Sequence, residues 1–296
     1  MKPCPSCDKN KIDEYSYEEG SILICRNCGL QWARYTGRVE KNTSLIDSRE
    51  GLSNSITNYY MSSGSITSSG CYPPYRSFFR FLETIKPGGS LRILDIGCGN
   101  GVFLQECLKL GHDVTGIEAD DTMREIIPPG LQSRIIFSPV EKISAFGQPF
   151  DVITFWDSFE HLADGFKLLN RLRAYLKNDG IIYLRVNNNY DIFNIAAYFI
   201  TCLFPSMGKR MLKLCFGFPH HAWNFSRTGI SNLLDKNGWQ VVSYGFSDTP
   251  ASRFTKNVLL RCLIELAYLF NRMIRGGKIG EYYIVPGVKG AALRCS

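Results

Sequence analysis

From residue 91 onward, stretches typical of buried β-strands alternate with stretches typical of amphipathic helices. The predicted strands are Leu91–Ile96, Asp113–Ile117, Arg134–Phe137, Phe150–Phe155 and Gly180–Val186. The predicted helices are Gly101–Leu110 and Phe166–Leu176. Because strand-helix-strand crossovers are right-handed and lay the helix on the sheet, this order predicts a parallel sheet with helices on both faces.

Segments on either side of this region complete the prediction. Apolar residues recur at helical spacing from Tyr75 to Ile85, and Pro87 with two following glycines ends that helix. Trp239–Tyr244 and Tyr282–Val285 are expected as the last two strands, antiparallel at the sheet edge. The predicted fold class is therefore α/β, with a seven-stranded Rossmann-like sheet whose ligands lie at the carboxyl ends of the strands.

A glycine-rich loop follows the first strand. Gly97, Gly99 and Gly101 allow the backbone to turn sharply and to approach a ligand, which a Cβ would prevent. Dinucleotide-binding folds also use such a loop, so the neighbouring carboxylates discriminate. Asp95 would repel a pyrophosphate but suits an ammonium group, and Glu118 at the end of the second strand can accept hydrogen bonds from ribose hydroxyls. An ammonium group and a ribose together describe S-adenosylmethionine.

Three segments resemble consecutive motifs of the class I S-adenosylmethionine-dependent methyltransferases. They are D-I-G-C-G-N-G at 95–101, G-I-E at 116–118 and F-D-V-I-T-F-W-D-S-F-E-H-L at 150–162. The resemblance covers roughly residues 75 to 245 and is strongest to the branch with ubiquinone-pathway O-methyltransferases and bacterial methyltransferases of sugars and lipid-linked or secondary metabolites. It implies methyl transfer to a small-molecule acceptor, on oxygen or carbon. Several sugar methyltransferases of this kind also begin with a cysteine-rich zinc module.

The resemblance also implies roles for individual residues in binding the donor. The residues expected at the methionine portion are Asp95, Gly97, Cys98, Gly99 and Gly101, and Glu118 is expected at the ribose. Val140 and Glu141 would lie beside the adenine, with Phe155 and Trp156 closing the pocket. Where the family often has an Asp near the adenine amine, this chain has Ser138-Pro139-Val140-Glu141, so backbone groups or Glu141 would make those contacts.

The first 36 residues form a separate pattern with two C-x-x-C pairs. Cys4, Cys7, Cys25 and Cys28 have the spacing of a zinc ribbon, in which four thiolates close a tetrahedral site. A ribbon that has lost its metal, or a pair of disulfides, is the alternative. Residues 37–74 are predicted to be a linker or lid, and 75–296 the catalytic domain.

Three residues just past the fourth strand are the candidate catalytic group. Asp157, Glu160 and His161 follow Phe150–Phe155, and His161 has the reference pKa best suited to a general base near neutral pH. In the resembled quinone-pathway enzymes an acidic residue followed by Glu-His is associated with a divalent metal, which Asp157-x-x-Glu160-His161 matches. The alternative is that Glu160 and His161 only cap the following helix. His220 and His221 are the next candidates for the base.

The last third of the chain carries most of the positive charge, with 13 Lys and Arg against 5 Asp and Glu over residues 191–296. Within it, 191–218 combines an apolar run with Lys209, Arg210 and Lys213, and is predicted to be a lid or a surface that touches lipid or an anionic membrane. Residues 258–275 are predicted to be an additional packed or interfacial helix. A cytoplasmic location, with peripheral contact at the inner membrane face, is expected from the cysteine usage and from this segment.

A second class of function uses the same features differently. In an RNA methyltransferase, the ribbon and the basic last third would grip nucleic acid. Against this class, the ribbon region is nearly neutral, and W-D-S-F-E-H at 156–161 lacks the Asn/Asp-Pro-Pro-aromatic arrangement with which many base-modifying enzymes hold a flipped amine. The small-molecule acceptor is therefore the primary prediction and nucleic acid the alternative.

Overall fold

The computed structural model describes residues 2–36, 73–189, 192–247, 257–274 and 279–287. The predicted linker or lid at 37–74 lies outside these ranges apart from Pro73 and Pro74, which begin a helix. The described chain has two sheets, one of four strands and one of seven.

The cysteine-rich segment forms the small sheet, in the order β1-β2-β3-β9. Its strands are antiparallel where they pair, and their bounds are β1 Ile12–Tyr17, β2 Gly20–Cys25, β3 Gln31–Tyr35 and β9 Trp223–Asn224. The strand β2 is buried along its whole length. A short strand from far along the sequence thus extends the N-terminal hairpins.

The large sheet has the order β10-β11-β8-β7-β4-β5-β6. Its strands are β4 Arg92–Ile96, β5 Asp113–Glu118, β6 Ile135–Phe137, β7 Phe150–Trp156, β8 Leu176–Asn187, β10 Trp239–Ser247 and β11 Ile279–Pro286. The pairs β4/β5, β4/β7 and β5/β6 are parallel, and β10/β11 is antiparallel. The predicted seven-stranded α/β sheet with an antiparallel edge pair is confirmed.

Eight α-helices occur among the described residues. They are α1 Pro73–Ile85, α2 Val102–Lys109, α3 Pro129–Gln132, α4 Gly165–Leu172, α5 Ile192–Leu203, α6 Pro205–Phe216, α7 Arg227–Lys236 and α8 Val258–Ile274. The chain divides into two compact units, one of Met1–Asn42, Asp157–Arg173 and Leu184–Ser296, the other of Thr43–Trp156 and Ala174–Tyr183.

The second unit holds the parallel strands that follow the glycine pattern. All residues of β7 except Trp156 are buried, as are four of the five residues of β4. Strands covered on both faces read as continuous apolar runs, which explains why the sequence pattern located them within one or two residues. Phe78 of α1 and Leu104 of α2 are fully buried in the same unit.

One predicted helix is shorter than expected. The pattern predicted Phe166–Leu176, but α4 ends at Leu172 and a 3-10 turn occupies Arg173–Tyr175. Arg173 lies 4.7 Å from the ring centre of Trp239 and donates a hydrogen bond to the Gly238 carbonyl at 2.8 Å. These contacts hold Arg173 at the turn, and β8 begins at Leu176 instead of at the predicted Gly180.

The apolar and basic segment at 191–218 is a helical hairpin of α5 and α6. Leu212 and Phe216 of α6 are fully buried in one apolar cluster with Ile22 and Ile24 of β2. The hairpin therefore packs on the cysteine-rich sheet within the first unit. Its outward side chains are Phe199, Leu203, Phe204, Met207 and Leu214, which are 49% to 80% exposed. No helix among the described residues is both long and apolar enough to cross a membrane.

Candidate functional site

The predicted donor loop connects β4 to α2 in the second unit. Gly97, Gly99 and Gly101 have φ angles of 78°, 53° and 75°, so all three occupy the left-handed region that favours glycine. The amides of Gly97 and Cys98 both donate to the Ile117 carbonyl, at 2.8 and 3.0 Å. The loop thus takes its tight conformation at the carboxyl ends of β4 and β5.

Glu118 ties the loop to the end of β5. One carboxylate oxygen accepts a hydrogen bond from the Gly99 amide at 2.8 Å, and the other accepts one from the Asp120 amide at 2.9 Å. Burial raises the pKa of Glu118, and the two amides oppose that shift. Because each carboxylate oxygen has two acceptor sites, both retain capacity for a hydroxyl donor. This arrangement fits the predicted ribose role.

Asp95 lies at the same ends of the strands but is more deeply buried. Asp95 is 1% exposed, and its carboxylate accepts a hydrogen bond from the Thr154 hydroxyl at 2.7 Å. Burial raises the pKa of Asp95 to about 7, against the effect of the Thr154 hydrogen bond. An ammonium group at this carboxylate would favour its charged form, so the residue is compatible with the predicted ammonium contact.

The residues predicted around the adenine occupy different environments. Val140 is buried in the 3-10 turn Val140–Lys142, and Glu141 is exposed. Phe155 is fully buried, so its side chain presents no surface to a ligand in this structure. Trp156 packs edge-on against Tyr75, and its indole N–H is buried without a hydrogen-bond partner among the described residues. The adenine roles stay predictions.

The carboxylates predicted for catalysis lie in the first unit, where Asp157 and Arg185 form an ion pair. Asp157 follows β7 directly and has a φ of 52°, unusual for a residue with a Cβ. Glu160 is 1% exposed, and burial together with the charge of Asp157 raises its pKa. One oxygen of each carboxylate is buried with no hydrogen-bond partner in the described part of the chain. Glu160 is therefore favoured in its neutral form, while Asp157 is paired.

His161 contacts His220 and His221 of the same unit. Its Nδ1 donates to the His220 carbonyl at 3.2 Å, and its ring meets the His221 ring edge-on with centres 4.6 Å apart. Burial lowers the pKa of His161, while hydrogen bonding to the backbone of His220 and Asp157 opposes that shift. Burial and the proximity of His161 lower the pKa of His221 to about 3. Both imidazoles are neutral at pH 7.

The predicted cysteine site is gathered as expected. The sulfurs of Cys4, Cys7, Cys25 and Cys28 all lie within 4.8 Å of one another, with Cys4 to Cys28 at 3.6 Å and Cys7 to Cys25 at 3.5 Å. All four are free thiols in the structure, as the zinc-ribbon prediction requires. Within the described ranges this is the only group of three or more such ligands. Asp157, Glu160 and His161 do not converge in this way, so the divalent metal there stays a prediction.

The family profile described as a methyltransferase domain matches residues 73–244, more than half of the chain. The chain belongs to this methyltransferase family. The resemblance indicated by the sequence motifs is thereby confirmed at the level of the family, while the roles of single residues are not tested by it.

Two curated relatives of this methyltransferase share one name. The ubiquinone biosynthesis O-methyltransferase of Ruegeria sp. (strain TM1040) is 31% identical over 127 residues, covering 41% of this chain and 51% of the relative. That of Roseobacter denitrificans is 33% identical over 171 residues, covering 55% and 68%. The chain thus spans about half the length of the first relative and about two thirds of the second.

Among solved structures, a SAM dependent methyltransferase from Archaeoglobus fulgidus superimposes with a TM-score of 0.47. The two chains are 19% identical, and the match covers 71% of this methyltransferase and 91% of the other. A similarity of this degree carries no argument about function.

Two groups in the methyltransferase were missed by the sequence patterns. Arg185 is fully buried near the carboxyl end of β8, pairs with Asp157, and has its Nε 3.8 Å from a carboxylate oxygen of Glu281. A charged residue inside the apolar run of β8 was the available signal, since a buried charge requires partners. Asn187 contacts the Nδ1 of His221 at 3.2 Å, and no pattern pointed to it.

Proposed function

We propose that this protein transfers a methyl group from S-adenosylmethionine to an oxygen or carbon of a small-molecule acceptor. The observation that carries the proposal is that the Glu118 carboxylate accepts hydrogen bonds from the amides of Gly99 and Asp120, while Asp95 is buried at the end of the neighbouring strand. A pyrophosphate ligand would meet two carboxylates here, whereas a ligand with a ribose and an ammonium group finds acceptors for both. The similarity to ubiquinone biosynthesis O-methyltransferases favours an oxygen nucleophile on a small molecule.

The donor supplies a methyl group that is already activated, so the protein's own residues align the acceptor and, for a hydroxyl, receive its proton. Among the three residues predicted for this task, Asp157 is paired with Arg185 and Glu160 is favoured neutral. His161 is neutral, and because its Nδ1 donates to the His220 carbonyl, its lone pair is on Nε2. These features make His161 the proposed base.

A screen of acceptors tests the proposal. Purified protein with labelled donor is incubated with nucleotide sugars, lipid-linked saccharides, quinone precursors and total RNA. Label in at least one small-molecule class is the expected result. Transfer to RNA alone would instead establish the nucleic-acid alternative. Added chelator tests whether a metal at Asp157, Glu160 and His161 takes part. A metal-assisted reaction would stop, whereas a reaction that uses only a histidine base would continue.

We further propose that Cys4, Cys7, Cys25 and Cys28 hold one structural zinc ion. The Cys4–Cys28 and Cys7–Cys25 sulfur separations, 3.6 and 3.5 Å, approach the roughly 3.8 Å edge of a tetrahedron with zinc-sulfur bonds of about 2.3 Å. Four thiolates leave no open position for a substrate. Metal analysis of reduced protein should give one zinc per chain, lost in Cys7→Ser and retained in Cys202→Ser, because Cys202 is an exposed cysteine of α5. Zinc-free wild-type protein would refute the assignment.

The hairpin of α5 and α6 is the proposed contact with a lipid-bearing acceptor or an anionic membrane at the cytoplasmic face. Leu203 and Phe204 are 60% and 59% exposed at its turn, and Lys209 and Arg210 follow on α6. Leu203→Glu should reduce sedimentation with anionic vesicles, whereas Leu110→Glu, at a position 55% exposed after α2, should not. Equal, negligible sedimentation of wild type with neutral and anionic vesicles would remove the proposal.

A further inference from the structure

The cysteine-rich sheet is paired with the stretch that carries two histidines, residues 218–223, called here the histidine segment. Trp32 of β3 pairs with Trp223 of β9 in antiparallel register, and the Ala33 amide donates to the Ala222 carbonyl at 2.9 Å. His220 and His221 immediately precede these residues in the chain. The position of the histidine segment in the first unit is therefore set in part by β3.

Tyr35, the last residue of β3, makes a second connection to the same segment. Its hydroxyl lies 2.9 Å from the Pro219 carbonyl oxygen and 3.1 Å from that of His221, the two carbonyls on either side of His220. Its ring is stacked on Phe218, with centres 5.8 Å apart. One side chain thus holds both the backbone and the preceding ring of the segment.

The histidine segment also contacts His161, the proposed base, and the residues on either side of it. His161 donates to the His220 carbonyl, and the Ala222 amide donates to the Glu160 carbonyl at 2.8 Å. The indole N–H of Trp223 donates to the Leu162 carbonyl at 3.0 Å. Three successive residues, 160 to 162, are thereby fixed by hydrogen bonds to three residues of the histidine segment.

We infer that Tyr35 is a positioning residue for methyl transfer, acting from the cysteine-rich sheet through the Pro219–His221 backbone on His161. The inference rests on the proposed function in taking His161 as the base. It assigns the N-terminal sheet a part in the reaction itself, in addition to any part in stability. Tyr35 touches neither reacting group, so its effect is on the orientation of the imidazole.

Tyr17 provides a matched control. It also lies in the cysteine-rich sheet, its ring is 5.5 Å from that of Phe218, and its hydroxyl donates to a backbone carbonyl at 2.9 Å. That carbonyl belongs to Lys209 in α6 and not to the histidine segment. Burial raises the pKa of both tyrosines to about 12, so both are phenols that donate. The two Tyr→Phe changes remove the same group from similar surroundings.

The test compares full-length Tyr35→Phe and Tyr17→Phe with wild type. The ring C–H signals of the four histidines are recorded by NMR at one fixed pH, and donor affinity, thermal unfolding and turnover are measured on the same samples. Tyr35→Phe should shift the signals of His161 and His221 and lower kcat about 10-fold, because small misplacement of a catalytic group costs rate. Donor Kd and acceptor KM should be unchanged. Tyr17→Phe should match wild type in its histidine signals, donor affinity and turnover, and it should lose about as much thermal stability as Tyr35→Phe, because each change removes one hydroxyl that donates to a backbone carbonyl.

Two results would overturn the inference. The first is that Tyr35→Phe leaves the His161 and His221 signals at their wild-type positions. The second is that both variants lower kcat equally, in proportion to lost thermal stability, which would indicate a purely structural role. If wild type transfers no methyl group to any acceptor, the proposed function fails while the histidine signals still decide whether Tyr35 positions the segment.

Discussion

Glu118→Gln separates the ribose role of this residue from its role in the loop. In the structure, the two carboxylate oxygens accept hydrogen bonds from the amides of Gly99 and Asp120. Glutamine keeps one oxygen acceptor but places an NH₂ group, a donor, where the second oxygen was. The variant thus loses the charge and sets one backbone N–H against another donor.

The expected loss follows from the kind of bond removed. A hydrogen bond to a charged group contributes about 1.5 to 3 kcal/mol. If a ribose hydroxyl uses the lost oxygen, donor Kd should rise about 10- to 150-fold. The altered contact with Gly99 or Asp120 is present with and without donor, so it should appear in thermal unfolding of the free protein rather than in Kd.

Calorimetric titration with S-adenosylmethionine and with its demethylated product measures the effect. Glu125→Gln is the control, since Glu125 is exposed at the end of the 3-10 turn Asp121–Glu125. Its Kd should equal that of wild type. Wild-type affinity in Glu118→Gln, accompanied by a lower unfolding temperature, would show that Glu118 only braces the loop and would refute the ribose assignment.

Two further predictions concern Asp95 and His161. Burial raises the pKa of Asp95 to about 7, so between about pH 4 and pH 7 the carboxyl is protonated in the folded protein and ionised in the unfolded one. Its contribution to the free energy of unfolding therefore falls as pH rises through this range. Asp95→Asn should unfold at a higher temperature than wild type at pH 8, with a smaller difference at pH 4, and a pH-independent difference would contradict this. His161→Ala should bind donor normally but lose about 100-fold in kcat, whereas His220→Ala, which retains the carbonyl that His161 bonds, should turn over normally. The opposite pattern would move the base to His220.

The fold was predictable where burial leaves a continuous apolar run. Strands β4 and β7 were located almost to the residue, because parallel strands covered on both faces have little room for polar side chains. The two-residue strand β9 was not predicted, since no period can be read in Trp223–Asn224. Its pairing with β3 depends on tertiary contact across nearly 200 residues of sequence.

In the candidate site too, some residues could be identified from the sequence and others only from the fold. Asp95, Glu118 and the four N-terminal cysteines were identifiable because their spacing along the chain is itself the signal. Tyr35 was not, because its partners are brought to it by the fold. For Arg185, the apolar run of β8 could have indicated a buried charge but not which residues pair with it. Tyrosine is common in strands, so a tyrosine at the end of a strand gives no functional signal. Nothing in the local sequence indicates its contact with the carbonyls of Pro219 and His221.

In the structure, part of the positive charge in the last third of the chain is paired with acidic residues near the N-terminus. Lys213 of α6 pairs with Glu19 at 2.7 Å, and Lys236 of α7 pairs with Asp8 at 2.6 Å. Both acidic residues belong to the N-terminal segment, so part of the basic excess has an acidic partner within the same chain. A nucleic-acid footprint needs cations that are available to many phosphates. Pairing within the chain weakens that interpretation, and it leaves the exposed apolar turn of the α5 and α6 hairpin, beside Lys209 and Arg210, as the stronger argument for a lipid-bearing partner.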